Sequence, residues 1–221
     1  RSGADEGRFL RAYYDASPRG QDVSRGAPPQ RFSAWVELVA QARQLPRAEQ
    51  LARVNAFFNE NIRSGTDWEL WGQADYWASP METLMLGAGD CDDLAIAKYF
   101  TLVAVGVPPA SLRLLYAFRS PRVGPDVPHM VLGYYEIPGG VPLVLDNGVP
   151  SIERLDERVD LELIAAFASD AVYRFTHNQQ VRLPVHRAQR WARVLTRANA
   201  EGDRKSTRLN SSHSQQSRMP S

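Results

Sequence analysis

Apolar residues recur at three- and four-residue steps through the first half of the chain and turn to near-alternation in the second. Phe32 to Leu45 carries Trp35, Val36, Leu38 and Val39, a spacing that predicts a helix. Pro46 suits a first helical turn. Behind it Leu51, Val54, Phe58 and Ile62 repeat on one face until Ser64-Gly65 closes the run. Thr66 to Ala78 has no such period and reads as a loop, although it holds Trp68, Trp71 and Trp77. Ser79-Pro80-Met81-Glu82 has capping-box spacing with Pro80 at the first helical position. The turn Gly87-Ala88-Gly89 then opens a helix from about Asp90 to Val105, stopped by Gly106 and Pro108-Pro109.

Beyond this point the period is two. Leu112 to Phe118, His129 to Ile137 and Val141 to Leu145 are β-rich runs split by Pro/Gly turns such as Pro138-Gly139-Gly140. In the second run Met130, Leu132 and Tyr134 share one face, and Val131, Gly133 and Tyr135 the other. Leu161 to Phe167 predicts a short helix, Ala171 to Phe175 a further strand, and Pro184 to Ala200 a basic terminal helix. Helices first and an antiparallel sheet after them define an α+β fold, the helical N-terminal half packed on the sheet in one domain. That domain is expected over 31–202, behind a loose Gly-, Pro-, Arg- and Ser-rich lead-in over 1–30.

Residues 203–221 stand apart. Asp203-Arg204-Lys205-Ser206-Thr207-Arg208-Leu209-Asn210-Ser211-Ser212-His213 and Ser217-Arg218-Met219-Pro220-Ser221 resemble, in order, the conceptual translation of a sequencing adapter, so a non-native tail is expected. The tail changes the charge argument. The full chain has 26 basic and 25 acidic residues; without the tail 22 face 24, a net charge near −2, and nothing favours a nucleic-acid partner. No apolar run reaches the ~18 to 20 residues of a membrane span, and a composition of 43% hydrophobic residues suits a real core. The chain begins at Arg1, which leaves room for a signal peptide upstream.

The chemistry concentrates around the only cysteine. Gly89-Asp90-Cys91-Asp92-Asp93-Leu94-Ala95 sets a thiol at a helix start, where backbone N–H groups and the helix dipole favour a thiolate. Asp90, Asp92 and Asp93 oppose it, so a protonated histidine, a bound cation, or both must offset them. A lone cysteine can be an inert core residue. Here the helix-start position and two downstream residues favour a nucleophile: His129 heads one strand and Asp146 ends another, and adjacent antiparallel strands can set them side by side. Locally, His129 can equally plug a sheet end and Asp146-Asn147-Gly148 can be an ordinary turn. His177 and His186 read as surface residues. Zinc is excluded for want of paired Cys and His spacing. The three acids suit calcium, or a solvated helix N-terminus. No phosphate loop or dinucleotide fingerprint is present.

The blocks Asp75-Tyr76-Trp77-Ala78-Ser79-Pro80-Met81-Glu82-Thr83-Leu84, Gly89-Asp90-Cys91-Asp92-Asp93-Leu94-Ala95-Ile96-Ala97-Lys98-Tyr99, His129-Met130-Val131-Leu132 and Val144-Leu145-Asp146-Asn147 together resemble the bacterial transglutaminase-like cysteine protease family. The resemblance implies a papain/transglutaminase-like fold and a catalytic triad of Cys91, His129 and Asp146. It implies calcium dependence, with Asp90 and Asp92 matching the calcium positions and Asp92 standing where Glu is usual; Asp93 is the third acid of the same turn. It also implies a periplasmic protease that cleaves a large surface adhesin near its N-terminus at a di-alanine site, controlling biofilm attachment under an inner-membrane cyclic di-GMP receptor. Acyl transfer to an amine on the same triad, or a non-catalytic binding module, are the alternatives. The aromatics Trp71, Tyr76, Trp77 and Tyr134 either wall a groove for small side chains or belong to the core.

Overall fold

Two helices, α1 (Ala27–Ala42) and α2 (Arg47–Asn61), form where the three- and four-residue steps predict them. This is a computed structural model, and it describes residues 27–120, 125–176 and 179–201. The expected lead-in lies mostly outside the described residues, as does the tail; α1 begins within the last few lead-in positions. The strand β1 (Arg63–Ser64) follows, then α3 (Asp67–Trp71), a short helix inside the segment expected to be loop. It forms because Thr66 and Glu69 make a reciprocal capping box. The helix α4 (Pro80–Leu86) has the expected box between Ser79 and Glu82. The strand β2 (Ala88–Gly89) pairs in parallel with β1, Arg63 opposite Ala88 and Ser64 opposite Gly89.

The helix α5 (Cys91–Ala104) comes next. Every residue from Asp92 to Tyr99 on it is buried, as a helix apolar on nearly all sides must be. It is enclosed by α2 and α4 and by the sheet that follows. The strands β3 (Leu112–Arg119), β4 (Val127–Tyr134), β5 (Leu143–Leu145), β6 (Glu153–Arg154), β7 (Leu161–Phe167), β8 (Ala171–Thr176) and β9 (Gln179–Pro184) make one antiparallel sheet in the order β6-β5-β4-β3-β7-β8-β9. Its inner face carries Leu112, Leu114, Met130, Leu132 and Leu145 against Leu51, Val54, Phe58, Leu84, Ile96 and Leu102 of the helices. Leu115, Val131, Val144 and Ala166 form a smaller cluster on the outer face. The two faces of β4 are those the alternation predicts.

Leu161 to Phe167 is a strand, not the expected helix. Tyr116 pairs with Ala165 and Ala117 with Leu163, so Ile164 is the extra residue of a bulge, and the far edge of β7 pairs with β8. Two paired edges outweigh the helix propensity of Ile164-Ala165-Ala166, and Leu161-Glu162-Leu163 already alternates. A last helix, α6, runs over 189–201. Its Trp191 is fully buried, donates to the Ala168 carbonyl at 2.8 Å and meets the Tyr99 ring edge-on at 5.2 Å. Among the described residues no helix is long and apolar enough to cross a membrane.

Candidate active site

Three local devices set Cys91 at the first turn of α5. Gly87 ends α4 at φ +68°, a left-handed conformation that favours glycine. Gly89 lies so close to the helix that a Cβ there would stand 2.8 Å from Asp93 Cβ. Asp90 caps α5, its carboxylate accepting from the amides of Asp92 and Asp93 at 3.1 and 3.3 Å. The thiol is half-buried. Burial, then the Asp90 charge, pushes it up to about 11, while the backbone amides of Met130, Cys91 and Asp92 pull it back.

His129 and Asp146 meet as the strand order requires. The register pairs Leu132 with Leu145, so the chain leaves β5 at Asp146 beside the His129 end of β4. His129 Nε2 lies 2.8 Å from Asp146 Oδ1, with His129 7% exposed and Asp146 fully buried. Burial pushes the Asp146 carboxyl up. The contacts from His129, the Gly148 amide and Arg158 outweigh it and hold the group well below the usual carboxylate range. Nε2 is thus occupied by Asp146, and the amide of the very next residue, Met130, acts on the Cys91 thiol.

Three further residues bear on Asp146. Arg158 donates to Asp146 Oδ2 at 2.8 Å, and Asn59 of α2 donates to the Asp146 carbonyl at 2.9 Å. Lys98, on α5 and 1% exposed, has its amine lowered to about 7 by burial, with the Asp146 charge acting the other way. Arg158 and Asn59 carry no local signal. Lys98 does: a lysine within a run of apolar helix residues is unusual enough to flag.

The acids gather differently from the expectation. Asp67, Asp90 and Asp93 each bring an oxygen within 4.8 Å of the others. Asp92 is not one of the three, although it is buried and its Oδ1 has no partner among the described residues. Asp93 is fully buried and Asp67 8% exposed, so these acids are not a solvated helix end. Burial, then Asp90, pushes Asp67 up to about 6 and Asp93 well above its ordinary value. Asp67 Oδ1 and Asp93 Oδ2 are buried without a hydrogen-bond partner among the described residues. Clustered, buried, orphaned carboxylate oxygens are what a hard cation fits, and calcium takes such oxygens.

The aromatics divide. Trp77 and Tyr134 belong to the core, Trp77 meeting Phe167 edge-on at 5.5 Å. Trp71 and Tyr76 are half-buried, their rings 4.8 Å apart. His186 is exposed. His177 lies outside the described residues.

A thiol at a helix start and a His–Asp pair on adjacent antiparallel strands are the groups that thiol enzymes of the papain and transglutaminase class use. The chain belongs to the bacterial transglutaminase-like cysteine proteinases, whose family profile matches residues 35–159. It is similar to solved structures of LapG from Legionella pneumophila. The EGTA-treated form is 31% identical over 90% of this chain and 98% of that one, with a TM-score of 0.72. A second LapG structure gives 31%, 90%, 96% and 0.71. The calcium-bound form gives 32%, 89%, 99% and 0.66. No curated protein sequence matches. The chain is a cysteine peptidase with a LapG-like fold.

Proposed function

We propose that this peptidase is a calcium-dependent endopeptidase acting through Cys91, His129 and Asp146. The observation that carries the reading is the 2.8 Å contact of His129 Nε2 with Asp146 Oδ1, made beside a thiol that accepts the Met130 amide. Asp146 holds the ring by Nε2, so His129 Nδ1 takes the thiol proton. Cys91 Sγ attacks the scissile carbonyl carbon, and the Cys91 backbone N–H at the helix start donates to the developing oxyanion. The imidazolium then gives its proton to the leaving amine. Water, deprotonated by the same nitrogen, hydrolyses the thioester and frees the thiol.

Asp67, Asp90 and Asp93 would hold Ca²⁺, which supplies positive charge beside a nucleophile that acidic neighbours otherwise discourage. One of the similar LapG structures is calcium-bound, which supports the same ion here. For the substrate the support is the family resemblance: a large surface adhesin, cut near its N-terminus at a di-alanine site. The setting is the periplasm, under an inner-membrane cyclic di-GMP receptor, with control of biofilm attachment as the outcome.

The test incubates purified enzyme with an adhesin fragment from the same genome, with Ca²⁺ or with chelator, and weighs the products. Cleavage between the alanines in Ca²⁺ only, lost in Cys91→Ala and on replacing the alanines by leucine, supports the reading. Incorporation of an added primary amine in place of water would assign acyl transfer instead. Equal cleavage of the leucine fragment would remove the small-side-chain specificity.

A further inference from the structure

The Asp146 carboxylate is bonded on both oxygens. Oδ1 meets His129 Nε2 and the Gly148 amide, each at 2.8 Å. Oδ2 accepts from Arg158 Nη2 at 2.8 Å, and that guanidinium is only 3% exposed. Arg158 is aimed in turn by Asp160, which accepts from Nε and from Nη2 at 2.8 Å each. The backbone is secured separately: Asn59 donates to the Asp146 carbonyl at 2.9 Å and Asn55 to the Pro150 carbonyl at 3.2 Å. Those two bonds fix where the Asp146 main chain lies. They leave the carboxylate free to turn about Cβ–Cγ, a torsion with a broad, shallow profile.

We propose that Arg158 is a positioning residue for the triad, pinning Asp146 Oδ2 so that Oδ1 stays on His129 Nε2 and the ring keeps Nδ1 toward Cys91. The inference rests on the triad reading. The alternative role of so close a cation is purely electrostatic, and it has the opposite sign. A positive charge beside Asp146 weakens the carboxylate's pull on the imidazolium, so removing charge alone would make the thiol more reactive. Removing a pin makes it less reactive. The other charged groups about Asp146 are Lys98 of α5, Asp160, and Arg119 at the end of β3, whose Nη1 would stand 2.5 Å from a Cβ on Gly148. These stay in place when Arg158 is changed.

The experiment uses the full chain in saturating Ca²⁺ at one fixed pH. It reads the rate of Cys91 alkylation by iodoacetamide, kcat and KM on the cleaved fragment, and the low-field ring N–H proton signal of His129. Arg158→Met should slow alkylation by about tenfold or more and lower kcat alongside, with KM within about twofold of wild type. It should also broaden or abolish the His129 proton signal. Arg158→Lys, which restores a donor without the double hold on Asp160, should recover part of each loss. Alkylation of Arg158→Met as fast as wild type, or faster, overturns the inference. Should Arg158→Met not fold, Asp160→Asn loosens the guanidinium from behind; a severalfold loss of alkylation rate supports the pin, and no change overturns it. Wild type and His129→Ala alkylating equally fast would instead sink the triad reading itself, whereas dependence on His129 without dependence on Arg158 sinks this inference alone.

Discussion

Asp67 and Asp93 grip the same short stretch of backbone from two different helices. Asp67 Oδ2 accepts the Tyr76 amide at 2.6 Å and Asp93 Oδ1 accepts the Ala78 amide at 2.7 Å. Each keeps its other oxygen buried and without a partner among the described residues, near Asp90. A cation bound through those remaining oxygens would leave the loop bonds intact and tie α3 to α5. Calcium should therefore raise the melting temperature by about 5 to 10 °C over the chelated protein, and Mg²⁺ by far less because it demands a tight octahedral shell. Asp67→Asn should abolish the calcium shift, and Asp92→Asn should keep most of it. Thermal melts in Ca²⁺, Mg²⁺ and chelator decide the matter. Loss in Asp92→Asn with retention in Asp67→Asn would return the site to the three acids expected from sequence.

Asp146→Asn keeps the shape of the triad but removes the charge. Turnover should fall by about a thousandfold or more, since a neutral amide neither fixes the tautomer nor steadies the imidazolium. Stability should fall too, by about 2 kcal/mol, because Arg158 loses a charge-assisted bond to this anion while keeping Asp160. The pH dependence follows from the direction of the shift. A carboxyl held below its ordinary value contributes stability that is complete above the unfolded value, about 3.9, and is lost as pH falls through the folded one. Asp146's own share of that gap is present above the ordinary carboxylate range and is lost only in stronger acid, so the stabilities of wild type and Asp146→Asn should converge as pH falls below about 4. A gap that persists unchanged into strong acid would mean Asp146 is not held as an anion.

What the sequence shows and what it hides follow from how local each device is. The capping box at Ser79, the glycine turn before Cys91 and the period of α2 are written within a few residues, and the structure has them. The pairing of His129 with Asp146 needs only that two neighbouring strands run antiparallel. Asp67 was out of reach, because its meeting with Asp90 depends on the parallel bridge of Arg63–Ser64 with Ala88–Gly89. Arg158 was hidden for a similar reason: it reaches Asp146 from beyond β6, with no period to mark it. The helix expected at Leu161 failed because partners on both edges, not local propensity, decide that segment.

The loop held by Asp67 and Asp93 is also clamped from the other side. Arg197 of α6 bonds the Trp77 carbonyl and the Tyr76 hydroxyl, and its guanidinium lies 5.0 Å from the Tyr76 ring centre. Arg197→Ala should therefore weaken calcium binding by about tenfold although Arg197 touches none of the acids. Alkylation of Cys91 at saturating Ca²⁺ should stay near the wild-type rate. A calcium titration followed by tryptophan fluorescence measures the first and a single-pH alkylation the second. Unchanged calcium affinity would show that α6 does not set the loop.

Lys98 makes the last case. Its side chain is 1% exposed on the helix that carries the nucleophile, among Ile96, Tyr99 and Leu102 of the core. Burial lowers the amine to about 7, and the Asp146 charge only partly opposes it. The sign is then fixed. Below pH 7 both folded and unfolded chains carry the proton and the folded state bears the full cost of a buried charge. Between about 7 and 10.4 the folded chain sheds a proton that the unfolded chain keeps, so stability rises with pH. Lys98→Met fills much the same volume with no charge. It should be more stable than wild type at pH 6.5 by about 4 kcal/mol, and the advantage should fade as pH approaches 10. Denaturant melts of both proteins at pH 6.5, 8 and 9.5 measure it. An advantage that is the same at all three would mean the lysine does not titrate in this window; a variant less stable at pH 6.5 would mean the buried cation stabilises the fold through Asp146.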